Sequence, residues 1–205
     1  MKTERISADH PNAIQHAVDV LRNNGLVAFP TDTVYGLAAP VQNIESIERL
    51  YMVKGRNNTK AIAVLLGDND QLTTVAVDLS KSAQKVAQHF WPGPLTMIVP
   101  RHPSLPEILA PLQTIGVRIP DHPVALALLK AAGPLAVTSA NISGADNTMT
   151  ARQVMKQLKG RVHLIIDGGR TPGGVPSTVI DCTTPEPEIL REGPISLKQL
   201  KAICN

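Results

Sequence analysis

The chain has 205 residues, 43% hydrophobic and 18% charged, which suits one globular domain with a sizeable buried core. Aromatic residues make up only 2%, so Val, Ile, Leu and Ala must build that core, and a nucleic-acid surface based on aromatic stacking is disfavoured. The net charge of +3, with a pI near 9.0, is a mild basic excess compatible with phosphate ligands or RNA and diagnostic of neither.

Ile14, Ala17, Val18 and Leu21 recur at helical spacing and predict a helix over 11–23, ended by Asn24-Gly25. Residues 26–29 then read as a buried strand stopped by Pro30. Helical spacing returns over 43–53, followed by a buried strand over 61–66 and a helix over 81–90. After the break at Trp91-Pro92-Gly93-Pro94, strands are predicted at 95–99, 115–119, 135–137, 162–166, 178–180 and 188–191. Helices near 122–132, 150–158 and 196–203 alternate with them. Continuous apolar strands between helices predict an α/β protein whose sheet is mostly covered. The stretch 168–176, rich in Gly and Pro, reads as a mobile loop beside a site because it leads into Ser177-Thr178.

Cys182 and Cys204 make no disulfide framework and have no His or Cys neighbour at metal-ligand spacing, which points to a reducing compartment. The N-terminal Met-Lys-Thr-Glu-Arg-Ile lacks the apolar stretch of a signal peptide, and no apolar run is long enough to span a bilayer. A cytoplasmic protein without a membrane partner is expected.

Five polar segments interrupt the apolar pattern: Pro-Thr-Asp-Thr-Val-Tyr-Gly (30–36), Lys-Gly-Arg (54–56), Thr-Ile-Gly-Val-Arg (114–118), Thr-Ser-Ala-Asn-Ile-Ser-Gly (138–144) and Pro-Ser-Thr-Val-Ile-Asp (176–181). Arg191 joins them. They supply hydroxyls, amides and fixed positive charge, and few carboxylates, an inventory better suited to holding anions than to abstracting protons. Each also has a plainer reading. Thr31 or Asp32 could cap a local helix. Lys54 and Arg56 could complement a helix C-terminus or bind phosphate oxygens. Arg118, in an apolar strand, needs a partner, which is either an internal carboxylate or a carboxylate or phosphate supplied by a ligand. Residues 138–144 make either an ordinary Ser/Asn turn or a nest of backbone N–H donors. Ser177 lacks the Gly-x-Ser-x-Gly elbow of a nucleophile. The histidines at 10, 16, 89, 102, 122 and 163 show no zinc pattern, and there is no phosphate-binding P-loop motif.

Together with Trp-Pro-Gly-Pro-Leu-Thr (91–96), Val-Arg-Ile-Pro (117–120) and Leu-Arg-Glu-Gly (190–193), these segments closely resemble the YrdC-like family, the threonylcarbamoyl-AMP synthases, in the same order over about residues 10–195. The resemblance is to the short single-domain form, one domain over 1–205 with no additional C-terminal domain. It implies a twisted mixed sheet with flanking helices around a concave, positively charged cavity. It also implies a nucleotidyltransferase that makes threonylcarbamoyl-AMP and pyrophosphate from L-threonine, bicarbonate and ATP, with Mg2+ accompanying ATP. The product would pass to a separate tRNA threonylcarbamoyl transferase complex for the threonylcarbamoyladenosine modification of tRNA. Matched position by position, Thr33, Arg118, Thr138 and Ser177 would hold L-threonine. Lys54, Arg56, Lys60, Thr114, Ser139, Ala140, Asn141, Thr148 and Arg191 would contact ATP, with Lys54 and Arg56 the catalytic pair. No metal ligand among the side chains is implied firmly. The chain departs from the family pattern at Asn57, Ala61 and Leu65. A non-catalytic RNA- or nucleotide-binding paralogue is the competing reading, and the basic balance leaves room for weak RNA binding.

Overall fold

The computed structural model describes residues 1–55, 57, 61–110, 112–184 and 187–204. Its elements run β1 (Glu4–Ser7), α1 (Ala13–Arg22), β2 (Val27–Phe29), β3 (Gly36–Pro40), α2 (Ile44–Lys54), β4 (Ala63–Leu65), α3 (Lys81–Phe90), β5 (Leu95–Pro100), β6 (Thr114–Arg118), α4 (Pro123–Ala132), β7 (Leu135–Ser139), α5 (Ala151–Leu158), β8 (Leu164–Asp167), β9 (Thr178–Asp181), β10 (Glu188–Arg191) and α6 (Leu197–Cys204). Among the described residues the strands form one sheet in the order β1-β8-β2-β3-β7-β4-β6-β5-β9-β10. Pairing is mixed: β4 runs parallel to β6 and antiparallel to β7, while β5 runs antiparallel to β6 and parallel to β9. No described helix is long and apolar enough to cross a membrane.

The predicted helices form close to their expected bounds because their ends are capped as well as their faces patterned. The Asn43 side chain accepts the Ser46 N–H at 2.8 Å to start α2, Ser80 does the same for Ala83 at 3.1 Å in α3, and Thr150 for Gln153 at 3.2 Å in α5. Two strands are absent from the periodicity reading. β1 is mostly exposed, so it has no apolar pattern to find. β3 reads Gly-Leu-Ala-Ala-Pro, residues with little intrinsic strand preference, and forms because both of its neighbours pair with it.

Alternation along each strand divides the core in two. Leu26, Ala28, Ile165, Val64 and Val117 point to the face covered by α2, α3, α5 and α6. Val27, Phe29, Leu164, Ile166, Leu135 and Val137 point the other way, against Ala17, Val18 and Leu21 of α1 and Ala125, Leu128 and Leu129 of α4. Helices α1 and α4 thus cover this second face over β8, β2, β3 and β7. Across β4, β6, β5 and β9 the same face opens into a cavity.

Candidate active site

The cavity holds about 360 Å³, and its floor is the sheet itself. Cross-strand partners Gly36 and Ser139, Ala63 and Val137, Leu65 and Arg118, Ile98 and Gly116, and Thr96 and Val179 all lie on that floor. Where the residue is Gly or Ala, the strand surface is left bare. The hydroxyls of Thr31, Thr33, Thr138 and Ser177 and the guanidinium groups of Arg118 and Arg191 complete the wall.

Arg118 is 5% exposed and fully engaged on one side. Its Nε donates to the Gly93 carbonyl at 3.0 Å, one Nη donates to Thr33 Oγ1 at 3.1 Å, and the other forms an ion pair with Asp32 Oδ1. Burial pulls its pKa down from the ordinary arginine value, Asp32 pulls it back up, and Arg191 pushes it down again. A guanidinium has five N–H donors, so this set leaves capacity for a ligand carboxylate. Asp32 Oδ2 is buried and has no hydrogen-bond partner among the described residues. Asp32 also lies within electrostatic reach of His122, whose pKa burial lowers against the pull of Asp32 and Asp121. Both sequence alternatives for Arg118 therefore meet in one residue, an internal ion pair that also faces the cavity. Thr31 caps no helix. It bonds Thr33 Oγ1 at 3.0 Å and the Val34 carbonyl at 2.7 Å, which folds the 31–34 turn and aims Thr33 at Arg118.

At the neighbouring wall, Arg191 clamps Ser177. Nη2 donates to the Ser177 carbonyl at 2.7 Å and to Ser177 Oγ at 3.2 Å, and Nε adds a contact to the carbonyl at 3.2 Å. Ser177 Oγ also lies 2.8 Å from Thr96 Oγ1. Thr96, on the cavity wall, and Asp32, behind Arg118, are groups to which the family match assigned no ligand role. Their only sequence signal is membership of the Trp-Pro-Gly-Pro-Leu-Thr and Pro-Thr-Asp-Thr motifs.

The 138–144 segment is a braced loop. Lys54, the last residue of α2, is 2% exposed, and its ammonium donates to the carbonyls of Ser139 and, at 2.7 Å, Asn141. It also lies 3.4 Å from Asn141 Oδ1. Asn141 Nδ2 donates to the Ala145 carbonyl at 2.7 Å, and Thr148 Oγ1 to the Ala140 carbonyl at 3.1 Å. The N–H groups of Ala140, Ile142, Ser143 and Ala145 are taken by Tyr35 O, Gln157 Oε1, Lys54 O and Ile142 O. Those donors are therefore taken within the protein, which favours the turn over the nest of the two alternatives. Within this segment Thr138 and Ser139 face the cavity, while Lys54, Ala140, Asn141 and Thr148 support it from behind. Thr114 lies at the far end of β6, paired with Pro100. Arg56 and Lys60 fall outside the described residues.

The glycine-rich stretch 168–176 does lie beside the site, tied down at several points. Tyr35 OH donates to the Gly169 carbonyl at 2.8 Å and accepts the Gly168 N–H at 3.3 Å. Gly174 N–H reaches the Thr33 carbonyl at 2.8 Å. A Cβ on Gly173 would lie 2.7 Å from the Asp32 carbonyl oxygen and 2.9 Å from Thr33 Cα, so only glycine lets this strap lie against the 31–34 turn. Burial, the largest influence, pushes the Tyr35 phenol up to about 12. The unfolded chain would release this proton near 10 and the folded one near 12, so stability is expected to fall as pH rises through that window. Tyr35→Phe should remove this pH-dependent loss and, by deleting the strap hydrogen bonds, cost about 1 kcal/mol at neutral pH. Urea unfolding at pH 7 and above pH 10 checks both; equal pH dependence in the two proteins would refute the assignment.

Residues 19–193 match the Sua5/YciO/YrdC family model, described as Telomere recombination. The chain is 40% identical over 204 residues to a Bacillus subtilis (strain 168) protein named threonylcarbamoyl-AMP synthase, covering 98% of this chain and 59% of that one. Its fold is similar to that of Pyrococcus abyssi Sua5 complexed with L-threonine, with a TM-score of 0.93 at 35% identity, covering 99% of this chain and 61% of that one. It is also similar to Escherichia coli YciO, with a TM-score of 0.85 at 30% identity over 97% of this chain and 98% of that one. The chain spans about three fifths of the length of the first two relatives. By sequence match and by fold, the chain belongs to the Sua5/YciO/YrdC family.

Proposed function

We propose that the protein is an L-threonylcarbamoyladenylate synthase acting in threonylcarbamoyladenosine modification of tRNA. One observation carries this reading: Arg118, Thr33 and Ser177 converge in one cavity of a chain that is 35% identical to a Sua5 whose structure holds L-threonine. The L-threonine carboxylate would sit on the uncommitted side of Arg118, with Thr33, Thr138 and Ser177 around it. The deprotonated amine would add to bicarbonate, giving the N-carboxylate and water. An oxygen of that carboxylate would attack the α-phosphorus of ATP, and pyrophosphate would leave as the acyl-phosphate bond forms. Two anions must meet in this step, and they repel by Coulomb's law. The protein's task is to fix them in place and offset their charge.

Arg191, at the end of β10, and Ser139, at the end of β7, both line the cavity, where they would serve the nucleotide. Arg56, Lys60 and Thr114 carry over as nucleotide contacts from the resemblance. Lys54 serves the same end from below, by setting the course of the loop. We take Mg2+ to arrive with ATP on the phosphate oxygens. Among the described residues no cluster of three or more His, Cys, Asp or Glu could hold it, and Asn141 Oδ1 lies 3.4 Å from the Lys54 ammonium, a cation that disfavours a metal there. The product would pass to a tRNA threonylcarbamoyl transferase complex, and RNA contact by this chain would be weak.

The test is pyrophosphate release from ATP, with L-threonine and bicarbonate each omitted in turn. Release that requires both is expected. ATP binding without release would favour a non-catalytic binding protein instead.

A further inference from the structure

We propose that Thr96 is a positioning residue for the amino-acid end of the cavity: seated over Gly116, its hydroxyl holds Ser177 so that the pair presents one proton to the ligand. The inference rests on the reading above, in which the cavity takes L-threonine.

Thr96 Oγ1 and Ser177 Oγ are 2.8 Å apart, so one of their two protons lies between them. Arg191 is only a donor, and its Nη2 occupies a lone pair of Ser177 Oγ at 3.2 Å. Among the described residues neither hydroxyl has any other protein acceptor. The second proton is therefore left for the cavity, into which both residues face. Whichever oxygen carries it, the pair is a donor to an acceptor ligand, such as the carboxylate or hydroxyl oxygen of an α-amino acid. Thr96 and Ser177 are each 6% exposed, so bulk water is a poor substitute for that acceptor.

Gly116 explains why the Thr96 hydroxyl points this way. It sits on β6 directly opposite Ile98, and its φ is not in the left-handed region, so the backbone does not require glycine there. A Cβ would lie 3.2 Å from Thr96 Cγ2, 3.3 Å from Ile98 Cδ1 and 3.4 Å from Ala63 Cβ. The Thr96 methyl thus rests over the bare strand. Threonine is stiff at χ1, so seating the methyl here fixes the hydroxyl toward Ser177, the residue just before β9. An alanine at 116 would fit after a shift of a few tenths of an ångström, and the side chain that must shift most is Thr96.

The test compares wild type, Thr96→Val, Thr96→Ser and Gly116→Ala in the pyrophosphate assay, with L-threonine binding measured by calorimetry and folding by thermal melting. Thr96→Val, which keeps the shape and removes the hydroxyl, should raise the KM for L-threonine about tenfold, while kcat and the KM for ATP change less than about threefold. Thr96→Ser, which keeps the hydroxyl and loses the methyl that orients it, should recover part of the loss. Gly116→Ala should keep its melting temperature, since glycine weakens a strand, and yet weaken L-threonine binding by about threefold or more. It carries the test if Thr96→Val fails to fold. A threonine KM within about twofold of wild type in folded Thr96→Val would overturn the proposal, as would Thr96→Ser as impaired as Thr96→Val. Wild-type protein that bound no L-threonine would overturn the synthase reading and this inference with it.

Discussion

Arg118→Met is expected to abolish measurable L-threonine binding and to destabilise the fold by about 3–5 kcal/mol. Two effects are joined because one side chain does two jobs. Its ion pair with Asp32 is nearly closed to solvent, with the side chains 6% and 10% exposed. Removing the guanidinium leaves the Asp32 carboxylate buried beside a methyl group, and its Oδ2 already has no hydrogen-bond partner among the described residues. The Gly93 carbonyl and Thr33 Oγ1 lose their donors as well. The two jobs can be separated. In Asp32→Asn/Arg118→Met the uncompensated charge is gone, so urea unfolding should recover most of the lost stability, whereas calorimetry should still detect no threonine binding. Recovery of both would mean that Arg118 is structural only. A single variant as stable as wild type would mean that the buried pair has been misjudged.

Lys54→Met should lower stability by about 3 kcal/mol, roughly 6–12 °C in Tm, and remove ATP use. Methionine keeps the apolar stem of lysine and deletes the ammonium. The carbonyls of Ser139 and Asn141 then lose a charged donor in a buried site. Because Ser143 N–H is held by the Lys54 carbonyl at 2.9 Å, the loop stays tethered to α2 even as its course relaxes. Ser139, where β7 passes into the loop, lies on the cavity floor beside Gly36 of β3, so relaxation should disturb the nucleotide more than the carboxylate held at Arg118. Melting curves and separate ATP and L-threonine titrations check this. Threonine affinity falling as far as ATP affinity would show that the loop serves both substrates equally.

Local pattern made much of this architecture readable. Val27 and Phe29 alternate with Leu26 and Ala28, and Leu164 and Ile166 with Ile165, so the strands and their two-sided burial follow from residue order. The capped helices follow for the same reason, since Asn43, Ser80 and Thr150 act within three residues of themselves. β3 was hidden because Gly-Leu-Ala-Ala-Pro gains its strand form from partners on both sides. The site residues were legible as motifs, and their division of labour was not. Lys54 read as a charge complementing a helix C-terminus or as a phosphate ligand, and in the fold it reaches across 85 residues of sequence to brace a loop.

By itself, the sequence determined the class of fold, the bounds of most helices and strands, the family and the set of polar segments that face one another, because each rests on local spacing or on motif order. The tertiary structure decided the rest. It set the strand order that brings β4, β6, β5 and β9 together with one face uncovered, the pairing of Arg118 with Asp32, and the meeting of Thr96 with Ser177 across 81 residues. The physical reason is common to all three: a hydrogen bond or ion pair between distant segments depends on sheet register, and register is settled by the packing of the whole chain rather than by any stretch of it.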